Sequence, residues 1–170
     1  VVRRVMERYP GKAANLEPGR RQPVSYTLTH SHLGKTLLVP GHYETPCGGC
    51  DTIKTTDRVY ELVRDGVAQG RDVLYEGIMV QDDVRRLLEL HQEYPVSVIE
   101  LGTPLDVCLG SIQTRRNIRG DTRPLNPKNT TARARSVRNN CERLRSAGVR
   151  VPTLLREEAY LYCLRLLGIK

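Results

Sequence analysis

The sequence predicts an α/β domain of three layers, a parallel sheet with helices on both faces. Apolar runs of strand length, such as Val73-Leu74-Tyr75 and Val96-Ser97-Val98-Ile99, alternate with segments whose apolar residues recur at helical spacing. At 170 residues the chain is long enough to bury one sizeable core. With 39% hydrophobic and 27% charged residues, it falls outside the collagen-like and wholly disordered classes. No apolar run approaches the ~20 residues of a membrane-spanning helix, so the expectation is a cytoplasmic protein with no membrane partner. Five cysteines cannot all pair, which favours reduced thiols. There is no Phe or Trp, so Leu, Val, Ile and eight Tyr must fill the interior.

Taken in order, Val2 to Tyr9 reads as a helix and Gly11 to Pro23 as a polar connector. Val24 to Thr29 and Thr36 to Val39 form a strand, turn, strand unit around Ser31-His32-Leu33-Gly34. Pro40 to Asp51 is too rich in Gly and Pro for a regular element. Val59, Leu62, Val63 and Val67 predict a helix over 52–69, followed by a strand at 73–75 that ends at Glu76-Gly77. A helix over 82–94 and a strand over 96–101 come next. Thr103 as cap and Pro104 at the first helical position start another helix, whose far end carries Arg115, Arg116 and Arg119. A basic helix over 129–147, a strand at 149–154 and a helix over 155–167 complete the chain.

The formal net charge of +8 is concentrated. Residues 111–150 hold eleven Arg or Lys against Asp121 and Glu142, an excess of +9, which leaves the rest of the chain at −1. Ten of the eleven are Arg, whose planar fork matches phosphate oxygens in pairs. Such a run fits a phosphate-rich ligand, and it also fits a solvated helical face.

In open α/β sheets ligands bind beyond the carboxyl ends of strands, which directs attention to 41–51, Glu76-Gly77 and Gly102-Thr103. Glu76 at a strand tip could hold Mg²⁺ through water, or serve as an ordinary strand-end acid. Thr29 to Thr36 ends like a phosphate loop, but it lacks the first Gly and the following helix. Cys47-Gly48-Gly49-Cys50 has metal-knuckle spacing with His42 nearby, yet no second CxxC supplies four zinc ligands. A tight loop that lets backbone approach a substrate is the better reading of it.

Together these pieces resemble P-loop kinases of the nucleoside and nucleotide kinase type, in particular small phage-encoded kinases, including those assigned to 5-hydroxymethyluracil in DNA. The carriers are VVRRVMERY, LLVPGHYETPCGGCDTI, DVLYEG and VIELGTPLDVCLGSIQTRRNIRG. The resemblance implies a single kinase-like domain over 1–170 with a basic lid at about 113–128. No G-x-x-x-x-G-K-[ST] stands in these residues. Since that loop precedes the first helix in such kinases, it and its strand are expected upstream of Val1.

The resemblance further implies ATP and Mg²⁺ as cofactors and a nucleotide or nucleic acid as substrate. Glu76 would serve near Mg²⁺. Arg115, Arg119 and Arg123 would close over the phosphates. Asp51 and Glu44 are candidates for accepting the proton of an attacking hydroxyl, with His42, Tyr43 and Arg116 beside the substrate. Asp51 could equally cap the helix after it. A function of another class, a nonenzymatic nucleic-acid-binding domain that uses 111–150 on phosphates, also fits the charge.

Overall fold

The computed structural model describes residues 1–45, 48–77, 82–121 and 123–169. In chain order the elements are α1 (Val2–Met6), β1 (Gly11–Asn15), β2 (Ser25–His30), β3 (Lys35–Pro40), α2 (Thr56–Ala68) and β4 (Asp72–Val73). They continue with α3 (Val84–Glu93), β5 (Glu100–Leu101), α4 (Leu105–Ile118), α5 (Pro127–Ser146), β6 (Thr153–Leu154) and α6 (Arg156–Leu166). The chain forms two compact units, Val1–Val80 with Tyr160–Lys170, and Gln81–Ala159.

The first unit is built on a mixed sheet in the order β1-β2-β3-β4, antiparallel at its first two junctions and parallel only between β3 and β4. This corrects the expectation of a wholly parallel sheet. Ser31–Leu33 is a single 3₁₀ turn between β2 and β3. Three residues can reverse a chain but cannot carry the crossover that parallel neighbours need.

The polar connector expected after the first helix also begins as a strand. Gly11–Asn15 lacks apolar alternation, and its backbone pairs with β2 in the register Gly11↔Thr29 to Asn15↔Ser25. Asn15 Nδ2 adds side-chain bonds to Ser25 Oγ at 2.9 Å and Thr27 Oγ1 at 3.1 Å.

Strand β3 is the centre of this unit, with Leu37, Leu38, Val39 and Pro40 all buried. Because successive side chains alternate, both faces of the strand are covered. Helix α2 lies on the Leu38 face. A methyl at Gly66 would fall 2.7 Å from Leu38 Cδ2 and 3.0 Å from Val73 Cγ2, so only glycine admits the helix this close. Val2, Val5 and Met6 of α1 and Cys163 and Leu164 of α6 add to the core. Tyr26, Tyr43, Tyr60, Tyr160 and Tyr162 do the work expected of the missing Phe and Trp.

In the second unit, β5 and β6 pair in parallel, extended by a bridge from Ser97 to Arg150. Val84, Leu87 and Leu90 of α3 are buried, as are Cys141 and Leu144 of α5 and the flanking Val149 and Val151. Arg145 ties this unit together. It donates to the Val151 carbonyl at 2.8 Å, to Glu100 at 2.5 Å and to Glu142 at 2.9 Å. Helix α4 starts at Leu105 rather than at Pro104, and Thr103 does not cap it: Pro104 takes the cap position in an extended conformation. Among its described residues α4 buries none, and Leu105, Leu109 and Ile112 are half-buried. No helix among the described residues is long and apolar enough to cross a membrane.

Candidate active site around Glu76

The chain leaves β3 at Pro40 and does not enter α2 until Thr56, and the intervening loop folds back against the end of β4. His42 bridges to Gly49, whose N–H donates to the His42 carbonyl at 3.0 Å. Thr52 fastens the same bend: its hydroxyl donates to the Gly49 carbonyl at 2.7 Å and accepts the His42 N–H at 3.1 Å. The Cys50 N–H then donates to the Glu76 carbonyl at 2.8 Å, joining loop and strand end. Gly49 makes this possible. It has φ of +78°, and a methyl there would lie 2.6 Å from the Glu76 carbonyl oxygen.

Strand β4 ends at Val73 rather than at Tyr75 as the sequence suggests, so Glu76 stands three residues beyond it, with its side chain exposed to solvent. On its other sides protein crowds it. Desolvation is the largest influence and raises the carboxyl above its ordinary range, and the Asp51 carboxylate pushes the same way. Arg3 and the Tyr43 hydroxyl act in the opposite direction. The Tyr43 hydroxyl is buried and lies near the Glu76 carboxyl without a hydrogen bond of ordinary geometry. Burial raises Tyr43 far above the usual phenol range, which keeps it a protonated donor. Cys50 is fully buried, and desolvation pushes its thiol up to about 12, so it remains an unreactive thiol.

The structure thus gathers Asp51, Glu76 and Tyr43 into one place and adds Arg3, which the sequence reading does not single out. Arg3 stacks over the Tyr43 ring at 5.7 Å and donates to the Thr45 carbonyl. Asp51 is exposed on a one-turn 3₁₀ helix, Cys50–Thr52, and does not cap α2; Thr55 does, accepting the Arg58 N–H at 3.2 Å. Glu44 is exposed and accepts a hydrogen bond from the Tyr26 hydroxyl.

His42 is 7% exposed and Tyr43 8%, so both line the wall of the loop. Burial and the neighbouring Arg20 lower the His42 imidazole, keeping it neutral. Arg3 and Tyr26 leave no mark in the sequence because pairing and helix packing, not spacing, bring them to the loop. Cys47, half of the metal-knuckle spacing, lies outside the described residues. No group of three or more metal-ligating side chains occurs among those described.

The arginines of the expected lid belong to the second unit. Arg123 grips Asp121 with both ends of its fork, at 2.8 and 2.9 Å. Arg116 stands 3.7 Å from the same carboxylate and donates to the Arg123 and Pro124 carbonyls at 3.3 and 3.4 Å. Arg115 bonds back to the Ser111 carbonyl at 3.3 Å, and Arg119 is exposed at the end of α4.

A carboxylate at a strand end, faced by a second one on a glycine-tightened loop, suits a hydroxyl acceptor and a phosphate donor. No protein-family model matches the chain, and no solved structure does. Over 162 residues, covering 94% of this chain and 85% of the relative, it is 41% identical to a 5-hmdU DNA kinase from Pseudomonas phage PaMx11. Similarity of this extent, running through nearly the whole chain, places it in the family of the phage 5-hmdU DNA kinase.

Proposed function

We propose that the protein transfers the γ-phosphoryl group of ATP to the hydroxymethyl group of 5-hydroxymethyluracil within DNA. The observation that carries the reading is the 41% identity to a kinase of that name across nearly the whole chain. In the reaction the acceptor oxygen forms a bond to the γ-phosphorus, the bond to the bridging oxygen of ADP breaks, and the hydroxyl proton leaves for a carboxylate.

Asp51 is the residue assigned to that proton. It is exposed on the loop and close enough to Glu76 to raise its carboxyl. Glu44, already engaged by Tyr26, is the weaker candidate. Glu76 fits Mg²⁺ held through water, since that ion takes one or two protein carboxylates together with substrate phosphates and water. The ion would neutralise charge on the transferring phosphoryl group. Arg3 and Tyr43 favour the charged form of the Glu76 carboxyl without offsetting its desolvation. Arg115, Arg119 and Arg123 are assigned to the phosphates, and Arg116 to the substrate. For Arg116 and Arg123 this means that phosphate oxygens replace Asp121 as their acceptor.

A three-layer P-loop architecture goes with this reading, supported by a β3 buried on both faces. The test is transfer from labelled ATP, by the full-length protein, to DNA containing 5-hydroxymethyluracil, to the free nucleoside and to its monophosphate. Label in the DNA alone is the expected result. Exclusive labelling of a small acceptor removes DNA as the substrate, and no labelling at all removes the kinase assignment.

A further inference from the structure

The basic excess of residues 111–150 divides, in the structure, into cations already held by acids and cations that are not. Arg116 and Arg123 serve Asp121, Arg133 serves Asp82, and Arg145 serves Glu100 and Glu142. Lys128, Arg135 and Arg143, all on α5, are exposed and have no hydrogen-bonding or ion-pair partner from their side chains among the described residues.

Their placement is not random. At 100° per residue, Arg135 and Asn139 each fall within about 20° of Lys128, on either side of it, and Arg143 lies about 60° from Lys128. The inner side of the helix is used otherwise. Cys141 and Leu144 are buried, and Arg133, Ser136 and Asn140 turn to the Asp82 carboxylate. The single acid near the outer row, Glu142, is held by Arg145 at 2.9 Å.

From this division we infer that the outer face of α5, through Lys128, Arg135 and Arg143, is a docking surface for the phosphate backbone of double-stranded DNA. The choice of DNA rests on the function proposed above; the surface itself rests on charge and shape. From Lys128 to Arg143 the row spans about 22 Å at 1.5 Å per residue. A duplex presents one phosphate charge per about 1.7 Å of its axis, so such a row meets its target at every step.

The same face argues against other partners. Helix α5 contains no aromatic residue, hence no platform on which single-stranded bases could stack. Thr131, Ala132 and Asn139 separate the cations, and no large apolar side chain is available to enter a lipid surface. Contacts of this kind fix orientation and raise encounter rates without reading sequence.

The experiment measures binding of the full-length protein to unmodified duplex DNA by fluorescence anisotropy across about 50 to 200 mM salt. Lys128→Gln with Arg135→Gln should weaken binding about tenfold or more and flatten the slope of log K against log salt by about two, one for each lost phosphate contact. Arg133→Gln, which breaks an internal pair, should leave that slope within about half a unit of the parent. An unchanged slope in the double variant, with parental circular dichroism, overturns the surface even if DNA is still phosphorylated. Conversely, a flattened slope with no phosphate transfer to any acceptor keeps the surface and removes the kinase reading. Should the double variant fail to fold, Arg135→Gln alone, with an expected change of about one, decides the matter. Equal weakening on anionic vesicles or single strands would assign the face to those partners instead.

Discussion

Two carboxylates of this protein stand among arginines and respond in opposite ways. In the first unit, Glu76 has Arg3 in its field but no guanidinium bonded to it, and desolvation prevails, raising its carboxyl. In the second, Asp121 is bonded by the Arg123 fork and backbone N–H, and its carboxyl is held well below the usual range. The number of nearby positive charges does not account for the difference. Two things matter: Glu76 is strongly desolvated and Asp121 scarcely is, and only Asp121 receives directed hydrogen bonds from a cation, whereas a cation at a distance only tilts the balance. An acid already satisfied holds structure. One left unsatisfied at an open strand end is available to a ligand.

Several substitutions would break or sharpen this contrast. The largest effect is expected for Glu76→Gln, with kcat falling by about 10²- to 10³-fold, the range found when one preorganised electrostatic group is removed. Its stability should behave differently. Because the folded-state carboxyl is raised, the fold binds this proton more tightly than the unfolded chain, and stability is lost as pH rises above the unperturbed 4.5 toward the folded value. Gln cannot ionise and escapes that loss. The variant should therefore melt at or above the parent temperature at pH 7, with the gap closing toward pH 4, as calorimetry at both pH values would show. A variant that melts lower at pH 7 would show that the ionised Glu76 stabilises the fold instead.

Next in size is Gly49→Ala. The methyl would press on the Glu76 carbonyl at a positive φ, costing about 2 kcal/mol or more, to be read by urea unfolding, with activity reduced as well. A smaller loss, about 1 kcal/mol, is expected for Thr52→Val, which removes the hydroxyl shared by Gly49 and His42. Here KM for the acceptor should rise while kcat changes less. The smallest effect belongs to Asp121→Asn, since its pairs are solvent-exposed: no measurable change in melting temperature, but faster amide exchange around Arg116 and Arg123. Unchanged exchange there would mean that Asp121 does not order its arginines.

Much of this was legible before any coordinates. The β2 and β3 strands announced themselves by alternation around a short turn, and Glu76 by its place after an apolar run. Helix α5 was readable from its long basic run, but its start was not: the sequence reading opens it at 129, whereas Asn126 caps it and Pro127 is its first residue. Strand β1 was not, because Gly-Lys-Ala-Ala-Asn carries no pattern and its order comes from bonds to a neighbour ten to eighteen residues away. The same holds for Arg3 and Tyr26. Their roles exist only once distant segments meet, and no local periodicity encodes that. Nor could charge counting separate Arg123 from Arg135; both are exposed arginines in one basic run, and only the fold gives the first an acid.

The close seat of α2 on β3 at Gly66 has a consequence for how the acceptor loop could diversify. The strand before the loop and the helix after it are fixed against one another, and inside the loop the Thr52 hydroxyl and the Gly49 bend fix a second, smaller frame. The exposed Glu44 lies between these fixtures, at a position where a different side chain would change what is grasped without disturbing what grasps it. Such a loop is an exchangeable fitting on a permanent mount. Relatives with other acceptors should differ first at 44–48 and keep a glycine at 66.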